Sequence, residues 1–249
     1  MSNKIEGFNF DQRHGKQRVR VARVWRSENG RHSIVEWNVG ISLFTDSVVA
    51  YTRDDNSDLV ATDTMKNTVY AKAKECVEEL SVEDFAIRLA KHFTSLYQQV
   101  TAAIVKIVEK PWERVSIDGQ PHEHGFKLGS EKHTTEVILK KSGALKVTSG
   151  IEGMALLKTT KSGFEGFIRD KYTALPDTRE RILATDLTAS WTFPDIATVQ
   201  LKMPNIHFLP VNLSNKDNTI VKFEDDVYLP TDEPHGSIEA TLSRFWSKM

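Results

Sequence analysis

Val35-Glu36-Trp37-Asn38-Val39-Gly40-Ile41-Ser42-Leu43 places an apolar residue at every second position, with Glu36, Asn38, Gly40 and Ser42 between them. A strand turns successive side chains to opposite faces, so this period buries one face and wets the other. Half-buried antiparallel sheet follows. Upstream, residues 18–26 form a second apolar run, and Asn29-Gly30 supplies the positive backbone angles of a tight turn. The spacing predicts a hairpin of 18–26 and 34–44.

Downstream the period changes to that of helices. One helix is predicted from Thr62-Asp63 to about Val77, and a second from Ser81. Ser81 can cap the second, with Asp84 three residues on and Leu80 and Phe85 spaced as a hydrophobic staple. Phe85, Leu89, Phe93, Leu96 and Val100 make its apolar stripe. Strands resume at 102–109 and 112–117, and 137–139 leads through Ser142-Gly143 into 144–148.

The remaining chain reads as a second unit of the same kind, with strands at 154–160, 181–193, 198–202, 207–212 and 238–244. Its helix pair is missing, because only a short stretch headed by Pro194-Asp195 separates Phe193 from the next strand. The expected architecture is α+β: two similar halves, 14–140 and 141–244, of antiparallel sheet with helices on one face. The second half lacks its helices, which would leave apolar sheet surface uncovered. Two halves also suit a length of 249 residues.

Lys plus Arg number 33 and Asp plus Glu 34, so a net charge of −1 gives no strong attraction to nucleic acid or to an anionic membrane. No apolar run approaches the roughly 20 residues of a membrane-spanning helix. Cys76 is the only cysteine, which excludes an internal disulfide and a thiolate-rich zinc site. Met1 to Arg13 is polar and mixed in charge, unlike a secretory signal. The last three residues, Ser247-Lys248-Met249, are close to the Ser-Lys-Leu tripeptide read by the peroxisomal import receptor.

Five segments together resemble urate oxidases, and most closely the plant branch. They are His14-Gly15-Lys16, Val60-Ala61-Thr62-Asp63-Thr64-Met65-Lys66-Asn67, Pro121-His122-Glu123-His124-Gly125-Phe126, the stretch from Ser162 to Lys171, and Met203-Pro204-Asn205-Ile206-His207. The resemblance implies tandem tunnelling-fold halves, a homotetramer, and active sites at subunit interfaces. It implies oxidation of urate by dioxygen and water to 5-hydroxyisourate and hydrogen peroxide, with no cofactor. Peroxide release favours a peroxisomal home, in keeping with the C-terminal tripeptide.

The residue roles also come from the resemblance. Lys16, Thr62 and His207 match the proton relay. Arg181 matches the arginine that grips urate, Phe164 the ring on which the purine stacks, and Asn205 the residue that holds dioxygen or water above it. Thr62 and Asp63 match the pair that meets the substrate from a neighbouring subunit. Physical chemistry permits each role: a guanidinium offers paired donors to a planar anion, and amides at a helix start favour negative charge. On the residues alone, Arg181 also reads as an ion-pair arginine, Phe164 as core, Thr62-Asp63 as a helix cap and His207 as a strand histidine. His122 and His124 point to one face of a strand, but no third metal ligand is evident.

The chain departs from the family after Phe193, where relatives carry several dozen residues with a Val-Gln pair that holds the urate edge facing the arginine. Losing a bidentate partner for a buried ligand typically costs several kcal/mol. The competing expectation is therefore a catalytically impaired, shortened subunit that serves only in binding or assembly. A pterin- or GTP-directed enzyme of the same fold is a weaker third reading, since such enzymes anchor the ring at the position deleted here and often use zinc.

Overall fold

The computed structural model describes residues 12–193, 221–224 and 227–229. The expected strands at 198–202, 207–212 and 238–244, together with Asn205, His207 and the tail Ser247-Lys248-Met249, lie outside these. Two long strands open the chain, β1 (Arg13–Arg26) and β2 (His32–Thr45). They pair antiparallel around a turn in which Gly30 takes φ +82°. After a short helix, α1 (Val49–Thr52), come α2 (Thr62–Glu75) and α3 (Val82–Leu96). Strands β3 (Val100–Glu109), β4 (Trp112–Ile117), β5 (Gln120–Leu128), β6 (Lys132–Lys140), β7 (Leu145–Lys158) and β8 (Leu183–Thr192) follow, then the short β9 (Val221–Glu224) and β10 (Val227–Leu229).

One six-stranded sheet has the order β1-β2-β3-β6-β7-β8, while β4-β5 and β9-β10 form separate two-stranded ribbons. This is α+β architecture, and among the described residues every helix falls between 49 and 96. Two compact units form. One holds the chain up to Met154 and resumes at Thr188; the other includes Ala155–Leu187.

The alternation in β2 builds the core of the first unit. Trp37, Val39, Ile41 and Leu43 are fully buried, joined by Ala103, Val105 and Ile107 of β3 and by Val137 of β6. Met65 and Val69 of α2, and Phe85, Leu89 and Phe93 of α3, close over them. The rings of Trp37 and Phe85 stack 4.3 Å apart at 17°, and Trp37 Nε1 donates to Glu109 Oε2 at 2.5 Å. Burying an indole is tolerable because its polar edge finds this acceptor. The capping expectation for α3 holds: Ser81 Oγ accepts from the Asp84 amide at 3.1 Å.

Three details differ from the sequence expectation: Val100, expected on the stripe of the helix, instead opens β3 after α3 ends at Leu96. Leu96 is 57 % exposed and leaves the stripe, because Ala86 and Ala90 bring α3 close to the sheet around Phe85, Leu89 and Phe93. Residues 144–148 and 154–160, read as two strands, are joined in the single strand β7. Gly150 between them marks a close approach rather than a break, since a Cβ there would lie 2.5 Å from the Ala189 carbonyl oxygen.

Phe85→Ala removes half of the central ring stack and is expected to lower unfolding free energy by about 3–5 kcal/mol, read from the denaturation midpoint at unchanged m. Burial pushes the Glu109 carboxyl above its ordinary 4.5, against the opposing Trp37 hydrogen bond. The folded state therefore holds this proton more tightly than the unfolded chain. Its contribution is complete below 4.5 and is lost as pH rises through the folded value. Glu109→Gln still offers Trp37 an acceptor, so the variant should gain stability on wild type above that window and not below it, as followed by thermal unfolding across pH.

Candidate functional site

Lys16 lies half-buried on β1, paired with Ile41 of β2. Gly15 beside it is required by the packing, because a Cβ there would come 1.9 Å from the Ile41 carbonyl oxygen. Immediately after Lys16 the register shifts, and Arg18 takes the left-handed φ of +59°. Such a bulge re-aims the strand that carries the lysine.

The second segment, Thr62-Asp63, forms the first turn of α2. Its N-cap residue is Ala61, and no side chain caps the helix. Local sequence allowed Thr62-Asp63 to be a cap; instead both are inside the helix, leaving its first-turn amides and the positive end of its dipole without a side-chain acceptor. The Asp63 carboxylate is held on its own helix by Lys66 at 2.6 Å and Asn67 at 2.8 Å. The hydrogen bond from Lys66 holds it below the usual carboxylate range, and the Lys16 charge adds in the same direction. β1 and the start of α2 are therefore neighbours, and His14 Nε2 joins them directly at 3.0 Å from the Val60 carbonyl oxygen. Sequence reasoning gave His14 no role. Its partner is a backbone carbonyl 46 residues away, which leaves no signal in side-chain spacing.

Phe164 and Arg181 belong to the other unit. There the backbone amide of Phe164 donates to the Thr178 carbonyl at 2.8 Å, the Thr178 amide returns a bond at 3.2 Å, and the Ser162 amide reaches the Arg181 carbonyl at 3.4 Å. Two extended segments thus run side by side and bring the aromatic and the arginine called from sequence into one neighbourhood. The Phe164 ring stacks on Phe167 at 4.6 Å and 10°. An open cleft of about 640 Å³ is lined by Lys161, Gly163, Phe164, Glu165, Arg179 and Glu180. Arg179 pairs with Glu165 at 2.7 Å and Arg169 with Asp177 at 3.0 Å. Arg181 differs from both: its Nη1 is buried and has no hydrogen-bond partner among the described residues. A buried guanidinium nitrogen without an acceptor is costly, and an anionic ligand would satisfy it.

His122 and His124 do point to one side of β5, as their spacing predicts. Their rings stack at 4.7 Å, with the two Nδ1 atoms 3.3 Å apart. His122 Nδ1 also accepts from the His124 amide at 3.2 Å, so these nitrogens are spent on each other. Among the described residues no group of three His, Cys, Asp or Glu is arranged to hold a metal ion. No described helix is long and apolar enough to cross a membrane.

The family model described as Uricase matches residues 12–138 and 147–195. Uricase-2 of Phaseolus vulgaris is 62 % identical over 303 positions, covering 98 % of each chain. Uricase of Arabidopsis thaliana is 55 % identical over 309 positions, covering both chains fully. Both alignments are longer than the 249 residues of this chain, so these relatives carry residues with no counterpart here. Among solved structures, uricase from Arthrobacter globiformis matches with a TM-score of 0.65 and 40 % identity, over 76 % of this chain and 63 % of that one.

Gly15→Ala forces a methyl group into the β2 backbone beside Lys16. It should cost about 1–3 kcal/mol of stability, measured by chemical denaturation.

Proposed function

The chain belongs to the uricase family, and from that premise we propose how its residues oxidise urate with dioxygen and water to 5-hydroxyisourate and hydrogen peroxide. The observation that carries the assignment of the substrate pocket is the buried, unpartnered Nη1 of Arg181, beside the segment that holds Phe164. Arg181 presents paired donors to the oxygen-rich edge of the urate anion, and Phe164 offers a ring face to the purine. The uncapped start of α2 supplies amides of Thr62 and Asp63 to the opposite edge.

Lys16, Thr62 and His207 form the relay that removes protons from urate, and Asn205 holds dioxygen or water over the ring. Deprotonated urate is electron-rich enough to reduce dioxygen itself. The residues' task is then alignment and proton transfer, without a cofactor. Loss of two electrons and two protons from urate yields peroxide, and addition of water at the oxidised ring gives the hydroxylated product.

The relay residues and the pocket residues come from distant segments, and they meet at subunit interfaces of a homotetramer built from the halves 14–140 and 141–244. The residues that relatives carry beyond this chain fall after Phe193, where the Val-Gln pair would stand. Arg181 and Phe164 therefore supply a larger share of the substrate grip here. The tail 245–249 directs the protein to the peroxisome through the import receptor, with Ser247, Lys248 and Met249 as the address. Peroxide production suits that compartment.

Urate absorbance and peroxide, followed together in aerated buffer, test the proposal. The full chain should consume urate and release peroxide in equal amounts. Arg181→Ala should raise KM by about a hundredfold or more, the loss of a charged bidentate contact. Lys16→Ala should lower kcat by about 10²–10⁴ with a smaller effect on KM. A folded, oligomeric chain that leaves urate untouched overturns the catalytic reading in favour of the binding or assembly role.

A further inference from the structure

His14 and Lys16 stand two positions apart on β1 and leave the same face of the strand. The His14 Nε2 lies 3.0 Å from the Val60 carbonyl oxygen. A carbonyl only accepts, so Nε2 carries the proton and donates. Nδ1 is then the lone-pair nitrogen, and it is buried without a hydrogen-bond partner among the described residues. A leucine or phenylalanine would fill the same space without that unsatisfied nitrogen. The imidazole is thus explained by its one directed bond and not by its bulk.

That bond has a specific place. Val60 immediately precedes Ala61, the N-cap of α2, and no side chain caps this helix. The contact clamps the entry to α2 onto the strand that carries Lys16, across 46 residues of sequence. The Lys16 charge already bears on Asp63 in the first turn. We infer that His14 is a positioning residue: through its bond to Val60 it holds the start of α2 against β1 and so sets the separation of Thr62 from Lys16. The inference rests on the reading of Lys16 and Thr62 as members of one relay.

The test uses the full chain with His14→Phe, which keeps a ring and removes the donor, and His14→Gln, which returns a donor nitrogen at the reach of Nε2. Residue-resolved amide exchange is measured at Met65, whose amide bonds to the Ala61 carbonyl at 3.1 Å, and at Leu89 in the middle of α3. Urate oxidation is measured in parallel across pH. In His14→Phe, exchange at Met65 should accelerate about tenfold while Leu89 is unchanged. The kcat should fall about tenfold with KM within about twofold, and His14→Gln should restore both. Unchanged exchange at Met65 overturns the inference, as does acceleration equal at Met65 and Leu89 that glutamine does not repair. Localised, glutamine-repaired exchange in a chain that does not oxidise urate upholds the clamp and sinks the relay reading. Normal turnover with unmoved exchange does the reverse.

Discussion

The burial of one face of β2 is the constraint on which the rest of the first unit depends. Trp37, Val39, Ile41 and Leu43 leave no water-accessible surface, and that requires α2 and α3 to lie over the sheet. Trp37 is the demanding member. Its ring stacks on Phe85 and its Nε1 donates to Glu109 Oε2, so one side chain ties α3 and β3 together. With α3 fixed, α2 is confined beside it, and its N-terminus comes to rest against β1. The approach of Lys16 to Asp63 is a consequence of core packing as much as of the two motifs themselves.

Strand β8 is built on weaker constraints. Leu187, Ala189 and Trp191 of β8 alternate with exposed Asp186, Thr188, Ser190 and Thr192, repeating the period of β2, yet the inner residues are only half-buried. Trp191 Nε1 is buried without an acceptor among the described residues, whereas Trp37 has one. The same alternation thus produces a sealed core where helices cover the sheet and a partly covered face where, among the described residues, no helix packs.

This difference explains what was legible in the sequence. Alternation in β2 and the Ser81 cap are local patterns whose meaning is fixed within a few residues, and both are realised in the structure. The length of β7 was not legible, because a glycine that admits a neighbouring strand looks the same in sequence as one that ends a strand. Only the Ala189 carbonyl beside Gly150 tells them apart. Of the proposed site residues, Arg181 and Phe164 are named through resemblance. Their side-by-side setting depends on backbone bonds between 162–164 and 178–181, which spacing does not encode. His14 was overlooked for the same reason, since its partner is a carbonyl and carbonyls have no residue type.

Lys16 with Thr62, and Phe164 with Arg181, each pair within its own unit, accordingly differ in how firmly they are held. Lys16 and Thr62 sit on elements, β1 and α2, that contribute to the buried core through Val19, Met65 and Val69. Phe164 and Arg181 are held by three backbone hydrogen bonds, a ring stack on Phe167, and the ion pairs Glu165–Arg179 and Arg169–Asp177. Those ion pairs are exposed, and exposed pairs contribute about 0–1 kcal/mol each. Neighbouring Ile168 and Tyr172 are 96 % and 81 % exposed. The segment that carries Phe164 and Arg181 thus rests on hydrogen bonds and ion pairs more than on packing. A substitution in the helix-covered core instead reaches Lys16 and Thr62 through the packing that places α2 against β1.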